Sequence, residues 1–185
     1  MILVSALIGA GIVAALWAVR EHGLSFVAQR PEDYADTEPR FIPQVHLNGP
    51  IACEGVIYGP MGRVVSRFEG DFEGMWDGKR GILKEHFRYA KGDTQDREWT
   101  LTFEGDKLKA EAPDLVGTGE GVLSGSTLRL KYKIRLEEDS GGHVLSVTDW
   151  LYLSPDGKIV NRSQFRKFGI RVAELVAVMR PKDMG

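Results

Sequence analysis

Glu85 alternates with Leu83, Phe87 and Tyr89, and Arg97 alternates with Trp99, Leu101 and Phe103. Both charges therefore fall on the apolar face of a two-residue period. A three-residue hairpin loop at Ala90-Lys91-Gly92, with Gly92 left-handed, sets Glu85 directly opposite Arg97. A charge on a core face must be paired or solvated. The pair is thus either a structural ion pair or a polar anchor at the floor of a ligand cavity, with acid–base catalysis a third use. Asp149 shares parity with Val147, Leu151 and Leu153, a second candidate inward carboxylate, while Trp150 beside it lies in a strand apolar on both faces. Asn161-Arg162-Ser163 follows a turn at Pro155-Asp156-Gly157, which brings Arg162 back near Asp149 or Tyr152. This arrangement is either a second structural pair or, with Glu85 and Arg97, a set of groups suited to an anionic head group or a carbonyl. Lys167, in Lys167-Phe168-Gly169, falls between two strands, where a short helical turn would cap one end. The candidate ligand-binding residues are Glu85, Arg97, Trp99, Asp149, Trp150, Asn161, Arg162 and Lys167.

Other chemistries are poorly served. There is no GxSxG, no HExxH, and Gly117-Thr118-Gly119-Glu120-Gly121 lacks the lysine of a phosphate loop. One cysteine, Cys53, allows neither an intramolecular disulfide nor a cysteine metal cluster, and the four histidines (His22, His46, His86, His143) share no ligand spacing. No cofactor or metal is expected. A net charge of −2 with 27 % charged residues favours neither disorder nor nucleic-acid binding.

The elements that position these residues read as an all-β domain. From Cys53 onward the pattern has period two and is broken by glycine turns. In Val64–Trp76 the even positions are largely core and the odd ones charged, with Gly70 and Gly74 on the core face of a strand that coils sharply. Leu128–Leu136 places Leu, Leu, Tyr, Ile and Leu on one face and Arg129, Lys131, Lys133 and Arg135 on the other. The basic row is either a solvated face or a surface for anionic lipid head groups. Further strands are expected at 54–58, 82–89, 94–103, 108–112, 116–123, 143–153, 158–164 and 174–180. An antiparallel meander of about ten strands exposes two edges if left open, and closure into a barrel removes them.

Residues 1–19 carry no charged side chain, and as a helix they reach roughly the ~30 Å of a bilayer's hydrocarbon core. No Lys or Arg precedes Arg20 and no clear cleavage site follows, which favours an uncleaved transmembrane anchor over a signal peptide. Residues 20–50, with Pro31, Pro39, Pro43 and Pro50, read as a linker packing on the barrel, with a short helix near Pro31–Ala35. Residues 51–182 form the barrel domain.

The chain from Gly49-Pro50 to Arg180 resembles a bacterial family, domain of unknown function 3833. The resemblance rests on Gly74-Met75-Trp76-Asp77-Gly78, on Leu83, Glu85, Phe87 and Tyr89 followed by Gly92, and on Arg97-Glu98-Trp99. Further on it rests on Asp149-Trp150-Leu151-Tyr152, and on Asn161-Arg162-Ser163 followed by Lys167-Phe168-Gly169. It implies a cell-envelope protein with a lipocalin-like (calycin-like) barrel and a lipid-related role. Members are often lipoproteins; this chain lacks the lipobox cysteine, its apolar segment standing in. Read literally, Arg20 and Arg30 place the domain in the cytoplasm; the resemblance favours the periplasmic face of a bacterial inner membrane.

The resulting expectation is a membrane-anchored barrel that holds a small apolar or lipid-like ligand. A structural or interaction protein of the envelope and a lipid-modifying enzyme using an interior carboxylate are the alternatives. Its partners would be a lipid membrane and a small apolar ligand, with no nucleic acid.

Overall fold

A computed structural model describes residues 2–138 and 141–182. Ten antiparallel strands run in chain order around a closed barrel: β1 (Gly49–Tyr58), β2 (Val64–Asp77), β3 (Arg80–Tyr89), β4 (Thr94–Glu104), β5 (Lys107–Glu111), β6 (Gly119–Ser124), β7 (Thr127–Arg135), β8 (Val144–Leu153), β9 (Ile159–Lys167) and β10 (Ile170–Pro181). Each strand pairs with its neighbours in sequence, and β1 pairs with β10, so no edge is left. The alternation in the sequence is what builds the core: Phe68 and Phe72 from β2, Leu128, Leu130, Tyr132 and Ile134 from β7 are all buried, while the residues between them face outward.

Several strand boundaries differ from the sequence reading: β1 begins at Gly49 rather than at residue 54, and β9 runs on to Lys167 rather than ending at 164. Strand β6 begins at Gly119 rather than near Val116, because Gly117 is left-handed (φ 81°) and the chain turns there. Strand β10 begins at Ile170 because Lys167-Phe168-Gly169 is not a helical turn. Phe168 (φ 51°) and Gly169 (φ 80°) form a tight two-residue connection, the left-handed pair that matches hairpin twist.

The chain before β1 is a strap and a plug. A 3-10 turn at Pro31–Tyr34 lies against the outside of β6 and β7, with Ser124 Oγ donating to the Pro31 carbonyl at 2.6 Å. Tyr152 donates to Gln29 Oε1 at 2.6 Å, and the Thr37 and Ser126 hydroxyls meet at 2.8 Å. The strap then bends under the barrel, where Phe41 and Leu47 join the core on either side of the short helix α2 (Pro43–His46). Gly74 makes that plug possible. A Cβ there would lie 1.9 Å from the Leu47 carbonyl oxygen, which accepts a hydrogen bond from Trp76 Nε1 at 2.8 Å.

At the N-terminus, α1 spans Ile2–Gly23 with Leu7, Ile8, Ile12, Val13, Leu16 and Val19 exposed. Among the described residues no helix is long and apolar enough to cross a membrane, so the expected transmembrane helix is not supported by the structure.

Gly74→Ala forces the plug away from β2 and is expected to destabilise the barrel by about 3 kcal/mol. Trp76→Phe, which removes the donor together with part of the ring packed on Gly81 and Phe103, should cost about 2 kcal/mol. Urea unfolding midpoints of the two variants check the order.

Candidate functional site

Strands β3, β4, β7, β8 and β9 each turn one or two polar side chains into the barrel. Pairing places Glu85 opposite Arg97 and Asp149 opposite Ser163. The three-residue loop is as the sequence implies, with Tyr89 N–H donating to the Asp93 carbonyl and Gly92 at φ 99°.

The expected ion pair between Glu85 and Arg97 is not what forms. Arg97 turns to Asp114, with its Nε and Nη2 each 3.1 Å from a carboxylate oxygen, and lays its guanidinium 4.0 Å over the Trp99 ring. Glu85 instead accepts a hydrogen bond from Trp99 Nε1 at 3.1 Å. A planar cation that stacks on an indole satisfies its face and its edge with different partners, which frees Glu85 from direct pairing. Asp149 accepts from the Tyr132 hydroxyl at 2.8 Å, and Tyr132 meets Trp99 edge-on, ring centroids 5.2 Å apart. One connected cluster results, running from Asp114 through Arg97 and Trp99 to Glu85 on one side and Tyr132–Asp149 on the other.

The cluster borders an interior cavity of about 130 Å³, walled otherwise by Phe72, Leu83, Leu101, Leu130, Leu151 and Met179. Glu85 is partly buried and lines this cavity. Burial dominates its titration and pushes it up to about 7, against the opposing pull of Arg97 and the Trp99 hydrogen bond. Burial also raises Asp149, with the Ser163 and Tyr132 hydroxyls opposing. Cys53 lines the same cavity, and burial followed by Glu85 pushes its thiol up to about 12, so it stays protonated and unreactive. Two buried atoms of the cluster make no well-aligned hydrogen bond within the protein: Arg97 Nη2, whose contact with Asp114 is ionic but out of line, and Asp149 Oδ1. One is a donor and the other an acceptor.

Of the sequence-derived candidates, Glu85, Arg97, Trp99, Asp149 and Asn161 line the cavity. Asn161 donates to the Trp150 carbonyl at 3.2 Å and accepts from Ser163 Oγ at 3.3 Å. The other three point elsewhere. Trp150 is buried on the outer face of β8, beneath Tyr34 of the strap at 5.2 Å. Arg162 does not return to Asp149: it sits opposite Trp150, faces out, pairs with Glu174 at 2.7 Å and covers the Phe26 ring. The hairpin brings β9 back beside β8 as expected, but one residue of register separates Arg162 from the interior. Lys167 ends β9 at the rim, its Nζ 5.7 Å from the Phe168 ring.

Asp114 and Tyr132 belong to the cluster and are not among the sequence-derived candidates. Tyr132 carried a signal, since a hydroxyl in a row of Leu and Ile needs a buried partner. Asp114 carried none. It reaches Arg97 because β5 is short and pairs with β4 only as far as Thr100, so the 112–118 loop completes the wall beside Arg97. That loop is pinned to β7 by Val116 N–H to the Lys133 carbonyl and Arg135 N–H to the Asp114 carbonyl, both 2.9 Å.

Fold and site together define an up-and-down β-barrel with a small apolar cavity floored by charged and hydroxyl groups. The chain belongs to the family described as "Protein of unknown function (DUF3833)", whose model matches residues 23–181. No curated protein matches it in sequence. Among solved structures it is similar to the crystal structure of Rv2717c from M. tuberculosis, at 15 % identity and a TM-score of 0.55, covering 80 % of this chain and 99 % of that one. A redesigned β-barrel, mFAP1, bound to DFHBI also aligns, at 10 % identity and a TM-score of 0.39, over 73 % of this chain and 94 % of the other. The first likeness is one of fold.

Because the folded pKa of Glu85 lies above its unfolded value, the fold favours the protonated acid. Glu85 therefore costs nothing below about pH 4.5, and its cost grows to about 3 kcal/mol as pH rises through about 7. Asp149 acts in the same direction. Glu85→Gln should remove most of the fall in stability across that window, which urea midpoints measured at successive pH values will show.

Proposed function

We propose that this protein binds a small, largely apolar molecule carrying a hydroxyl or comparable polar head, held in the barrel interior. The observation that carries the reading is the cavity itself, with Glu85, Arg97, Tyr132, Asp149, Asn161 and Ser163 grouped on a wall that is apolar elsewhere. A ligand hydroxyl can donate to a carboxylate of this set and accept from one of its N–H or O–H donors. A buried polar group left without a bond costs about 1–3 kcal/mol, so a molecule with a polar head suits this wall better than a pure hydrocarbon. Size narrows the class. Drug-sized ligands occupy pockets of roughly 300–1,000 Å³, whereas an engineered cavity of about 150 Å³ takes benzene. At about 130 Å³ the space suits a molecule of that scale, so the ligand is a small aromatic or short-chain amphiphile rather than a long acyl lipid.

A tether is part of the proposal. The uncharged run of residues 1–19 and the exposed apolar side chains of α1 fit immersion in a bilayer, holding the barrel at a membrane of the bacterial envelope on its periplasmic face. A second reading has one specific observation in its favour. A carboxyl with a pKa of about 7 beside an arginine is poised as a general acid or base, and the same cavity would then turn its ligand over.

Native mass spectrometry of the full chain, released from its membrane in mild detergent, tests the binding reading. A stoichiometric small molecule is expected from the wild type and a bare mass from Leu151→Trp, which fills the cavity. A bare wild-type mass that takes up no small aromatic alcohol, benzyl alcohol included, would contradict it. Conversion of a bound molecule that stops in Glu85→Gln while binding persists would favour the enzyme.

A further inference from the structure

Strand direction puts the connections 59–63, 90–93, 112–118, 136–138 with 141–143, and 168–169 at one rim of the barrel and the plug at the other. One sector of the open rim differs from the rest. Phe168 is 93 % exposed at the tip of the β9–β10 hairpin, Ile170 is 67 % exposed beside it, and Met61 is 85 % exposed on the neighbouring β1–β2 turn. Pro60 of that turn and Gly169-Ile170 line a common groove with Leu24, itself 81 % exposed, so the chain leaving α1 arrives at this same sector.

The aromatic at the tip is held there against the preference of its backbone. A non-glycine residue at φ 51° is uncommon, and a two-residue hairpin turn is ordinarily filled by Asn or Gly. A phenylalanine in that position, with its ring in water, asks for an apolar partner outside the chain. The groups beneath the tip are cationic. Arg162 and Arg171 share a single carboxylate, Glu174, at 2.7 Å and 2.8 Å, and Arg166 and Lys167 stand on the same hairpin. Hydrogen bonds to these arginines and to Gln164 hold Glu174 ionised against its burial, below the usual carboxylate range. Arg63 adds a further positive charge on the β1–β2 turn. The acidic residues described in the rim connections, Asp93, Asp114, Glu137 and Glu138, lie on other turns and leave the sector basic.

We propose that this sector is a membrane-docking surface, in which Phe168, Ile170, Met61 and Leu24 enter the acyl boundary of an anionic bilayer and the surrounding arginines and lysine meet its phosphate groups. Apolar side chains ringed by cations have the composition of an interfacial membrane contact, and the two attractions reinforce each other. The occupant is a lipid surface rather than a protein groove because the apolar residues sit on separate turn tips, which a deformable acyl layer can accept together. Docking sets the barrel upright, with the open rim and the 112–118 loop near the bilayer. The inference goes beyond the tether proposed above, which fixes only that the chain is near a membrane.

The test uses the full chain in nanodiscs of phosphatidylcholine alone or of phosphatidylcholine with phosphatidylglycerol. A nitroxide is placed at Phe168→Cys and, separately, at Asp156→Cys on the opposite rim; buried Cys53 is not labelled under native conditions. The expected result is a label at 168 that is relaxed by dissolved oxygen and sheltered from an aqueous nickel complex in anionic discs, a label at 156 that is aqueous in both, and loss of the shelter in Arg63→Glu/Lys167→Glu. An aqueous label at 168 with the chain still in the disc overturns the docking surface and leaves the tether standing. A chain that enters neither disc overturns both. Dipolar broadening at 168 that persists without lipid makes a second copy of the chain the occupant and likewise overturns the proposal.

Discussion

The interior of this barrel is organised by the burial of one guanidinium. Arg97 stands on the core face of β4 with its side chain largely buried, and a charge there is tolerable only if several partners answer it. Asp114 answers with its carboxylate, and Trp99 and Tyr132 with their rings, centred 4.0 Å and 5.6 Å from the guanidinium carbon. Each of those groups is then committed. Trp99 turns its N–H to Glu85, Tyr132 gives its hydroxyl to Asp149, and the 112–118 loop must lie across the wall so that Asp114 can reach in. Because Asp114 rather than Glu85 neutralises the cation, Glu85 is left desolvated and only partly compensated, which is why it titrates near neutrality.

The wall and the strap divide the work of excluding water. Aromatic residues Phe68, Phe72 and Phe87 fill one side of the interior in edge-to-face contact, and Phe41 and Leu47 close the plugged end. The strap also buries the outer face of β8, where Trp150 and Tyr152 stack on each other under Tyr34. What remains empty is small and lies against the polar cluster. The volume limits what the protein can hold, and the cluster limits what part of it can be polar.

The sequence carried the barrel in its alternation and carried the register between β3 and β4 in one glycine. Glu85, Arg97 and Asp149 were legible as interior charges because each breaks an otherwise apolar row. Their partners were not, since an alternation pattern names the face of a strand and says nothing of which way a long side chain swings. Arg97 reaches Asp114 across a gap that exists because β5 stops early, a fact about strand length rather than composition. Trp150 and Arg162 were harder still. Strand β8 is apolar on both faces because a strap covers it from outside, and that strap comes from a segment more than a hundred residues away, with no periodicity to announce it. The hairpin at Phe168 was misread because its left-handed residue is a phenylalanine where asparagine or glycine ordinarily signals the turn.

The account stands on Glu85 being a desolvated carboxyl at the edge of a cavity that admits a small polar-headed molecule. A ¹³C NMR titration of the Glu85 side-chain carboxyl, run with and without benzyl alcohol, measures this directly. The account predicts a midpoint near 7 in the free protein, moving upward when the alcohol fills the cavity and removes the remaining solvation. A midpoint near the ordinary 4.5, unmoved by the alcohol, would mean that water reaches Glu85 freely and that the cavity is not the binding site.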